Sequence, residues 1–374
     1  MFYKHKEGGF NKRLYRMIEA LAKQGHEVHY LSCESFPIDC QGVYFHPISV
    51  PGWKKKNVIF WFLFFLIAPF EAYRVCKRVH VDRIAVFGAW YAAFMWVPRL
   101  VLGIRIILFL RADSTVLYQT ENRSVLARWT NYVLDFLGLY LANEIWVNIG
   151  LIKSNIIKRY HISPNKIKLI YNNIDEFESI LESKQSQKRE EFGINKDEFT
   201  IATSGIFYKR KNIDILIRAF AKAFPSGGAQ LILIGDDLDQ GSERHNLEEL
   251  ALSLGINKSV LFTGWRKDSK DLISICDLYV LPTLHEGFPN SLLDALSVDC
   301  PCLGSRISEL EEILYYDELL FSPEHPDELA KKMVEFASNA QYRVKVRNLS
   351  KERANIFLFD WDKAVVDAVS HPID

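Results

Sequence analysis

Short apolar runs alternate with helical stretches along almost the whole chain of 374 residues. Continuous apolar strands that are separated by helices are typical of a parallel sheet with helices on both faces. The sequence therefore predicts an α/β fold of doubly wound, Rossmann-like domains. The expected strands lie at 27–32, 83–87, 105–110, 144–148 and 167–171 in the first half, and at 199–204, 230–235, 259–263, 277–282 and 301–304 in the second.

A polar stretch divides this pattern into two halves. Residues 176–196 are rich in Ser, Lys, Glu and Gln, and the apolar alternation restarts after them. This composition is typical of a connection between domains. We therefore expect a first domain over 1–175, a linker over 176–196 and a second domain over 197–340. Residues 341–374 are expected to form C-terminal helices that pack back on the first domain.

Charge and cysteine content exclude several classes of protein. Basic and acidic residues number 46 each, which argues against a nucleic-acid binder held by bulk charge. The charge is unevenly spread, however, because residues 1–180 carry 23 basic and 14 acidic side chains and residues 181–374 carry 23 and 32. The six cysteines include no C-x-x-C pair, so the sequence predicts neither a disulfide framework nor a zinc site and fits a reducing cytoplasm.

An apolar segment near residue 60 has two interpretations. Val58 to Phe70 contains thirteen uncharged residues and follows the lysines 54–56. A bilayer-spanning helix needs about 20 apolar residues, so this segment is too short to cross. It can form a buried core helix, or it can lie on a membrane, because aromatic rings favour the headgroup level and lysines attract anionic lipid. We expect residues 53–70 to dock on an anionic membrane surface.

The stretch L-H-E-G-F-P-N-S-L-L-D-A-L follows a predicted strand and carries the most specific chemistry. Gly287 permits close backbone approach, and Asn290 or Ser291 can cap a helix whose first amides would bind an anion. The carboxylates of Glu286 and Asp294, eight residues apart, could both reach hydroxyl groups of a ligand held there. Asp294 has a second interpretation, since Ser291 and Asp294 have the spacing of a capping box.

This stretch resembles the E-x7-E signature of retaining GT-B glycosyltransferases, in particular those of family four. In that family the usual form is E-G-F-x-x-x-x-x-E-A, so Asp294 stands where glutamate is common. Further segments resemble motifs of the same family and together cover nearly the whole chain: Gly8-Gly9 before a helix, Gly25-His26-Glu27-Val28, Tyr171-Asn172-Asn173-Ile174-Asp175, the Gly205–Asn212 loop, Leu231–Gly235, Phe262-Thr263-Gly264 and Glu312-Ile313-Leu314.

The resemblance implies a role for each matching residue. The second domain would hold the nucleotide-sugar, with Arg210 and Lys211 neutralising the diphosphate as its negative charge grows in the transition state. Glu286 would bind hydroxyls of the transferred sugar, and Asp294 would bind the ribose. No metal or other cofactor is then needed, because the two cations carry the charge. The expected donor-binding residues are Gly8, Gly9, Gly205, Gly287, Phe288, Pro289, Asn290, Ser291 and Asp294.

Several positions depart from the family pattern or keep two interpretations. Ile206 replaces the usual arginine after Gly205, so Arg210 is expected to take over the phosphate contact, although 209–211 can also be a solvated charge run. The family's histidine after a first-domain strand corresponds to a stretch that ends in Asp113. This aspartate could contact the sugar or acceptor, or pair with Arg111. His285 is expected to pack at a strand end, and 236–237 to form a solvated turn.

The resemblance implies a retaining, metal-independent glycosyltransferase that moves a sugar from a nucleotide donor, expected to be a UDP-sugar, to a saccharide or lipid-linked acceptor. Surface polysaccharide synthesis, in the cytoplasm and on the inner face of the cell membrane, fits best. Two alternatives stay open: a GT-B sugar-nucleotide epimerase and a non-catalytic nucleotide-sugar-binding subunit. The family also has a short apolar strand before the Gly-Gly loop, where this sequence has only M-F-Y-K-H-K-E, so we expect that strand to be missing.

Overall fold

A computed structural model describes residues 9–34, 39–51, 58–111, 124–195, 197–237 and 242–371. The chain folds into two compact units, each of which contains parallel strands covered by helices. The first unit comprises the described residues of Met1–Tyr171 together with those of Asp360–Asp374. The second unit comprises those of Asn172–Phe359. The α/β fold that the apolar pattern predicted is therefore confirmed.

The first unit contains two parallel sheets. Strands β3 to β6 form a four-stranded sheet in sequence order, and β1 pairs with β2. The strands are β1 (Val28–Ser32), β2 (Val43–Pro47), β3 (Arg83–Phe87), β4 (Arg105–Leu110), β5 (Glu144–Val147) and β6 (Ile167–Leu169). The helices are Gly9–Lys23, Val58–Val79, Ala89–Ala93, Trp96–Val101, Val125–Leu141, Gly150–Tyr160 and Trp361–Ser370.

Strand β4 lies inside the larger sheet and is the centre of this unit's core. Its side chains Ile106 to Phe109 are all buried, which explains why the segment is a continuous apolar run. The ring of Phe109 stacks on that of Phe87 in β3, with ring centres 4.5 Å apart. Strand β2 was not predicted from the sequence, because its side chains are mostly exposed or half-buried and its apolar pattern is weak.

The expected missing first strand concerns residues 1–8, which lie outside the described residues. Among the strands that are described, β1 pairs with β2 and β3 pairs with β4, and no hydrogen-bonded ladder joins β1 to β3. The expectation therefore stays a prediction. Gly8 also lies outside the described residues, whereas Gly9 begins the first helix.

The second unit contains one six-stranded parallel sheet. Its strands are β7 (Phe199–Ser204), β8 (Ala229–Ile234), β9 (Val260–Gly264), β10 (Leu278–Leu281), β11 (Cys302–Ser305) and β12 (Leu320–Phe321). They follow the order β12-β11-β10-β7-β8-β9, which reverses between β7 and β10. Open α/β sheets bind ligands at the carboxyl ends of the strands beside such a reversal. The helices are Glu182–Glu191, Ile213–Ala223, Ser242–Ser253, Ser269–Ser274, Asn290–Ser297, Ser308–Leu314, Pro326–Ser338 and Ala340–Ile356.

The structure divides the chain differently from the sequence prediction. The boundary lies between Tyr171 and Asn172, and the expected linker 176–196 contains the helix Glu182–Glu191. This helix is polar because none of its residues is buried. It is attached to the second unit by polar contacts, since Arg189 donates from Nη2 to the carbonyl of Ile275 at 2.5 Å. The polar composition of this segment is therefore that of a surface helix of the second unit, and most of the segment is not an interdomain linker.

The C-terminal helices belong to different units. Ala340–Ile356 belongs to the second unit, whereas Trp361–Ser370 belongs to the first. The latter helix packs on Gly9–Lys23, where Arg16 Nε contacts Asp362 Oδ1 at 2.5 Å and the guanidinium groups of Arg13 and Arg16 lie over the ring of Trp361.

The helix Val58–Val79 presents two different faces. Phe60 and Phe64 are fully buried, whereas Phe62 and Phe70 are 64% and 50% exposed. The helix continues past Phe70 to Val79, so the expectation that the apolar run is too short to cross does not hold for the whole helix. By length and composition alone Ile59–Val79 could span a membrane, a test that core helices of soluble proteins also pass. The buried face agrees with the core-helix interpretation, and docking of the exposed face on a membrane stays a prediction. Lysines 54–56 lie outside the described residues.

Candidate functional site

The carboxyl ends of the paired strands β7 and β8 bring two glycines close together. Gly205 follows β7, and Gly235 follows β8 with a positive φ of 137°. A Cβ atom built on Gly235 would lie 1.9 Å from the carbonyl oxygen of Gly205, so only glycine fits there. The Gly205 amide in turn donates to the carbonyl of Ile234 at 2.9 Å. These contacts fix the backbone at the carboxyl end of β7.

The loop after β7 is attached to the loop after β10 through its backbone. Residues Lys209–Lys211 form a single 3-10 turn that ends at Asn212 in the left-handed conformation. The carbonyl oxygen of Arg210 accepts from the Thr283 hydroxyl at 3.0 Å and from the Leu284 amide at 2.8 Å. The run 209–211 is therefore part of a built loop, and it holds two basic side chains beside β10.

A buried carboxylate lies between those two cations. Lys211 Nζ is hydrogen-bonded to Glu286 Oε1, and Arg210 Nη1 lies 3.6 Å from Glu286 Oε2. The side chain of Glu286 is 7% exposed, that of Lys211 13% and that of Arg210 42%. Glu286 is thus held in place by charge at the carboxyl end of β10, while Arg210 remains accessible to an anion. The structure brings together the three residues expected to be catalytic.

A second buried carboxylate, Glu309, was missed by the sequence analysis. Its Oε1 contacts His285 Nδ1 at 2.5 Å and accepts from the Glu286 amide at 3.3 Å. His285 also binds the other side of the loop, because its carbonyl accepts from Arg210 Nη1 at 3.1 Å. Glu309 therefore positions the loop that carries Glu286. Glu309 lies in the helix Ser308–Leu314, which was not predicted from the sequence. The amphipathic pattern S-E-L-E-E-I-L after β11 could have indicated that helix.

The helix after this loop begins at Asn290, with Pro289 at the N-cap position and no side-chain cap bond among the described atoms. The expected capping by Asn290 or Ser291 is therefore wrong, as is the capping-box interpretation of Ser291 and Asp294. Asn290 Oδ1 instead accepts from Asn172 Nδ2 at 2.7 Å. Ser291 hydrogen-bonds the Tyr279 phenol, whose pKa is raised by burial. The loop residues Gly287 and Phe288 precede this turn, and Phe288 is buried.

Asp294 lies one turn into that helix and is partly exposed, with a side chain that is 41% accessible. Lys270 Nζ lies 4.0 Å from Asp294 Oδ1 and is hydrogen-bonded to Glu178 Oε1. Lys270 and Glu178 were not singled out from the sequence, because their polar surroundings resemble ordinary surface. Asp294 is accessible enough to contact a ligand hydroxyl, as its expected role requires.

Other expected positions differ from the predictions or lie outside the described residues. The turn at 236–237 is not simply solvated: Asp236 Oδ2 binds Arg244 Nη1 at 2.8 Å, and Asp237 accepts from the Arg244 amide. Both carboxylates therefore anchor the helix Ser242–Ser253. Asp113 lies outside the described residues. Within the described part of the chain, no group of three His, Cys, Asp or Glu side chains could hold a metal ion.

Two family models match the two halves of this chain. The model for Glycosyltransferase Family 4 matches residues 7–176, and the model for Glycosyl transferases group 1 matches residues 184–353. The chain belongs to the group 1 glycosyltransferases. In this glycosyltransferase the second match contains Arg210, Lys211, Glu286 and Asp294, the polar residues that are expected to contact the donor.

Relatives of the glycosyltransferase include enzymes that act on different acceptors. It is 26% identical over 309 residues to N-acetyl-alpha-D-glucosaminyl L-malate synthase of Bacillus anthracis, covering 80% of this chain and 76% of that protein. It is 25% identical over 341 residues to N-acetylgalactosamine-N,N'-diacetylbacillosaminyl-diphospho-undecaprenol 4-alpha-N-acetylgalactosaminyltransferase of Campylobacter jejuni, covering 89% and 86%.

A solved structure shares the fold of the glycosyltransferase. The crystal structure of Anabaena HepE in complex with UDP-glucose matches with a TM-score of 0.77 at 16% sequence identity. The match covers 99% of this chain and 98% of that one. The GT-B fold expected from the motifs is therefore confirmed.

Proposed function

We propose that this glycosyltransferase moves a sugar from a UDP-sugar donor to a saccharide or lipid-linked acceptor in surface polysaccharide synthesis. The proposal rests on one observation, the pairing of Arg210 and Lys211 around the buried Glu286 at the reversal point of the sheet. A donor diphosphate gains negative charge as the glycosidic bond breaks. Cations that are already held in place stabilise that charge without reorganisation, and this lowers the barrier.

Each carboxylate of the site has a distinct part in the proposal. Glu286, fixed by Lys211 and by the contact of its amide with Glu309, accepts hydrogen bonds from hydroxyls of the transferred sugar. Asp294, accessible in the following helix, accepts from the ribose. The family resemblance implies that the reaction proceeds with retention of the anomeric configuration. It needs no metal in this proposal, because the two side-chain cations supply the positive charge. UDP-glucose binding by HepE and the glycosyltransferase fold support a UDP-sugar as the donor class.

The acceptor side of the proposal rests on the first unit. Its helix Val58–Val79 exposes Ile59, Phe62 and Phe70, an apolar face that would suit the headgroup region of a membrane. The Campylobacter relative is named for a diphospho-undecaprenol acceptor, which is a lipid. We therefore propose a peripheral enzyme on the cytoplasmic face of the membrane, where a lipid-linked acceptor is presented.

Incubation with a panel of labelled sugar nucleotides tests the proposed function. We expect slow release of one sugar from its UDP donor, with retained anomeric configuration by nuclear magnetic resonance and undiminished rate in chelator. An isomerised donor would identify an epimerase, and donor binding without turnover would identify a binding subunit. The absence of binding to every sugar nucleotide would contradict the proposal entirely.

Charge reversal of Lys54, Lys55 and Lys56 tests membrane docking. Each lysine near an anionic surface contributes on the order of 1 kcal/mol. Changing all three to Glu is therefore expected to abolish co-sedimentation with anionic vesicles at low salt. As a matched control, three exposed lysines of the second unit, Lys209, Lys222 and Lys351, are changed to Glu. Sedimentation that is unchanged in the first variant, or absent from the unmodified chain, would exclude docking through residues 53–70.

A further inference from the structure

The helix Val125–Leu141 exposes most of its large apolar side chains and buries two polar ones. Its exposed large residues recur at helical spacing: Val125, Leu126, Trp129, Tyr132, Phe136, Leu137 and Tyr140. At 100° per residue these positions form one stripe that covers about 140° of the helix surface. Val125 is 77% exposed, Leu126 72% and Trp129 64%. A helix of a soluble domain normally turns such a stripe towards the core.

The inward face of the same helix contains one large apolar residue, Leu139, beside polar and small ones. Asn131 and Asp135 are 2% and 3% exposed, and Gly138 lies against the helix Ala89–Ala93. A Cβ atom on Gly138 would come within 2.0 Å of the Ala89 carbonyl oxygen, so the helix lies directly on that backbone. The close contact fixes the rotation of the helix. Its apolar stripe therefore cannot turn inward without breaking this packing.

We propose that the outward stripe of Val125–Leu141 is a second membrane-contact surface, with an anionic lipid bilayer as its occupant. Trp129 and Tyr132 are amphipathic rings of the kind that concentrates at the membrane interface. The stripe is flanked by cations: Arg128 is exposed, and the exposed Arg159 lies over the ring of Tyr132 at 5.6 Å. Apolar insertion combined with flanking basic groups is the chemistry of an interfacial helix on anionic lipid.

A chain of contacts connects this stripe to neighbouring helices of the first unit that also expose apolar side chains. Lys166 Nζ donates to the carbonyl of Tyr140 at 3.3 Å, and burial, together with the nearby charge of Arg99, lowers the pKa of Lys166. Arg99 belongs to the helix Trp96–Val101, in which Leu100 is 70% exposed. The ring of Trp96 in turn contacts Phe70 of Val58–Val79, with ring centres 6.2 Å apart. These contacts link the stripe to the exposed apolar side chains of Trp96–Val101 and of Val58–Val79 within the first unit.

Vesicle binding by matched leucine variants tests the proposal, which rests on the membrane docking proposed above. Leu126→Glu places a charge in the stripe, whereas Leu252→Glu places the same charge at a similarly exposed leucine in a helix of the second unit. With vesicles of equal phosphatidylglycerol and phosphatidylcholine, we expect Leu126→Glu to weaken partitioning at least about tenfold. Leu252→Glu should bind as the unmodified chain does. Both residues are exposed, so both variants are expected to fold, which circular dichroism checks.

The remaining outcomes separate this inference from the proposals on which it rests. Equal partitioning of the two leucine variants, with loss only in the Lys54–Lys56 variant, would overturn the second surface and leave the first. A dimer that Leu126→Glu converts to a monomer in light scattering would assign the stripe to a second copy of the chain and also overturn it. Donor hydrolysis measured on the same samples shows separately whether the proposed transferase activity holds.

Discussion

Replacing Glu286 or Lys211 with Ala is expected to lower turnover by at least about 100-fold, the scale for loss of one preorganised charged group at a reacting centre. Glu286→Ala removes the proposed partner of the sugar hydroxyls. Lys211→Ala removes positive charge from the proposed diphosphate site and leaves Glu286 with Arg210, whose Nη1 is 3.6 Å away. Rates are measured with the donor identified in the panel, and thermal unfolding verifies that each variant is folded.

Lys222→Ala is the matched control for the lysine variant. Lys222 Nζ contacts Asp327 Oδ1 at 2.6 Å, but both side chains are mostly exposed. Ion pairs of that kind contribute about 0–1 kcal/mol, so this variant should keep the rate and stability of the unmodified enzyme. A folded Glu286→Ala protein with the unmodified rate would remove Glu286 from the mechanism.

Gly235→Ala is expected to destabilise the second unit by about 3 kcal/mol or more. The added methyl group would lie 1.9 Å from the Gly205 carbonyl oxygen, and the residue would also keep a φ of 137° that alanine disfavours. Relief of this clash must displace the loop that carries Arg210 and Lys211. We therefore also expect donor affinity to fall at least about tenfold, as measured by calorimetry alongside denaturant unfolding.

Gly255→Ala separates the clash from the backbone conformation. Gly255 also has a positive φ, 71°, but nothing lies within 4 Å of a Cβ atom built there. Its substitution should lower the free energy of unfolding by only about 1–2 kcal/mol and leave donor affinity unchanged. Equal destabilisation by the two alanine substitutions would show that the close contact of Gly235 with Gly205 does not contribute to the stability of the second unit.

The positions of the buried strands were predictable because their sequences are continuous apolar runs. Strands β3, β4 and β7 match their expected ranges fully, and the others of the ten predicted strands differ by one or two residues at their ends. In an α/β protein a short continuous apolar run is typical of a strand that is buried on both faces of the sheet. Lys211 and Glu286 each follow a predicted strand, but their contact was not predicted, because it depends on the pairing of β7 with β10 in the sheet.

The features that sequence reasoning missed depend on tertiary contacts. Glu309 is distant in sequence from Glu286, and its role follows only from the packing of the helix Ser308–Leu314 beside that loop. Pro289 takes the N-cap position because the chain turns there, so the polar residues after it have partners other than cap amides. The periodicity of Val125–Leu141 indicates an apolar stripe, but it does not tell whether the stripe faces the core or the solvent.

The central claim is that Arg210 and Lys211 hold the diphosphate of the donor, and comparison of UDP with UMP by titration calorimetry tests it most directly. If the two cations bind the second phosphate, UDP should bind the unmodified chain at least about tenfold more tightly than UMP, a difference of about 1.4 kcal/mol. In Lys211→Ala that preference should largely disappear, while Lys222→Ala should retain it. Equal affinities of the unmodified chain for UDP and UMP, or a preference that Lys211→Ala leaves intact, would contradict the account.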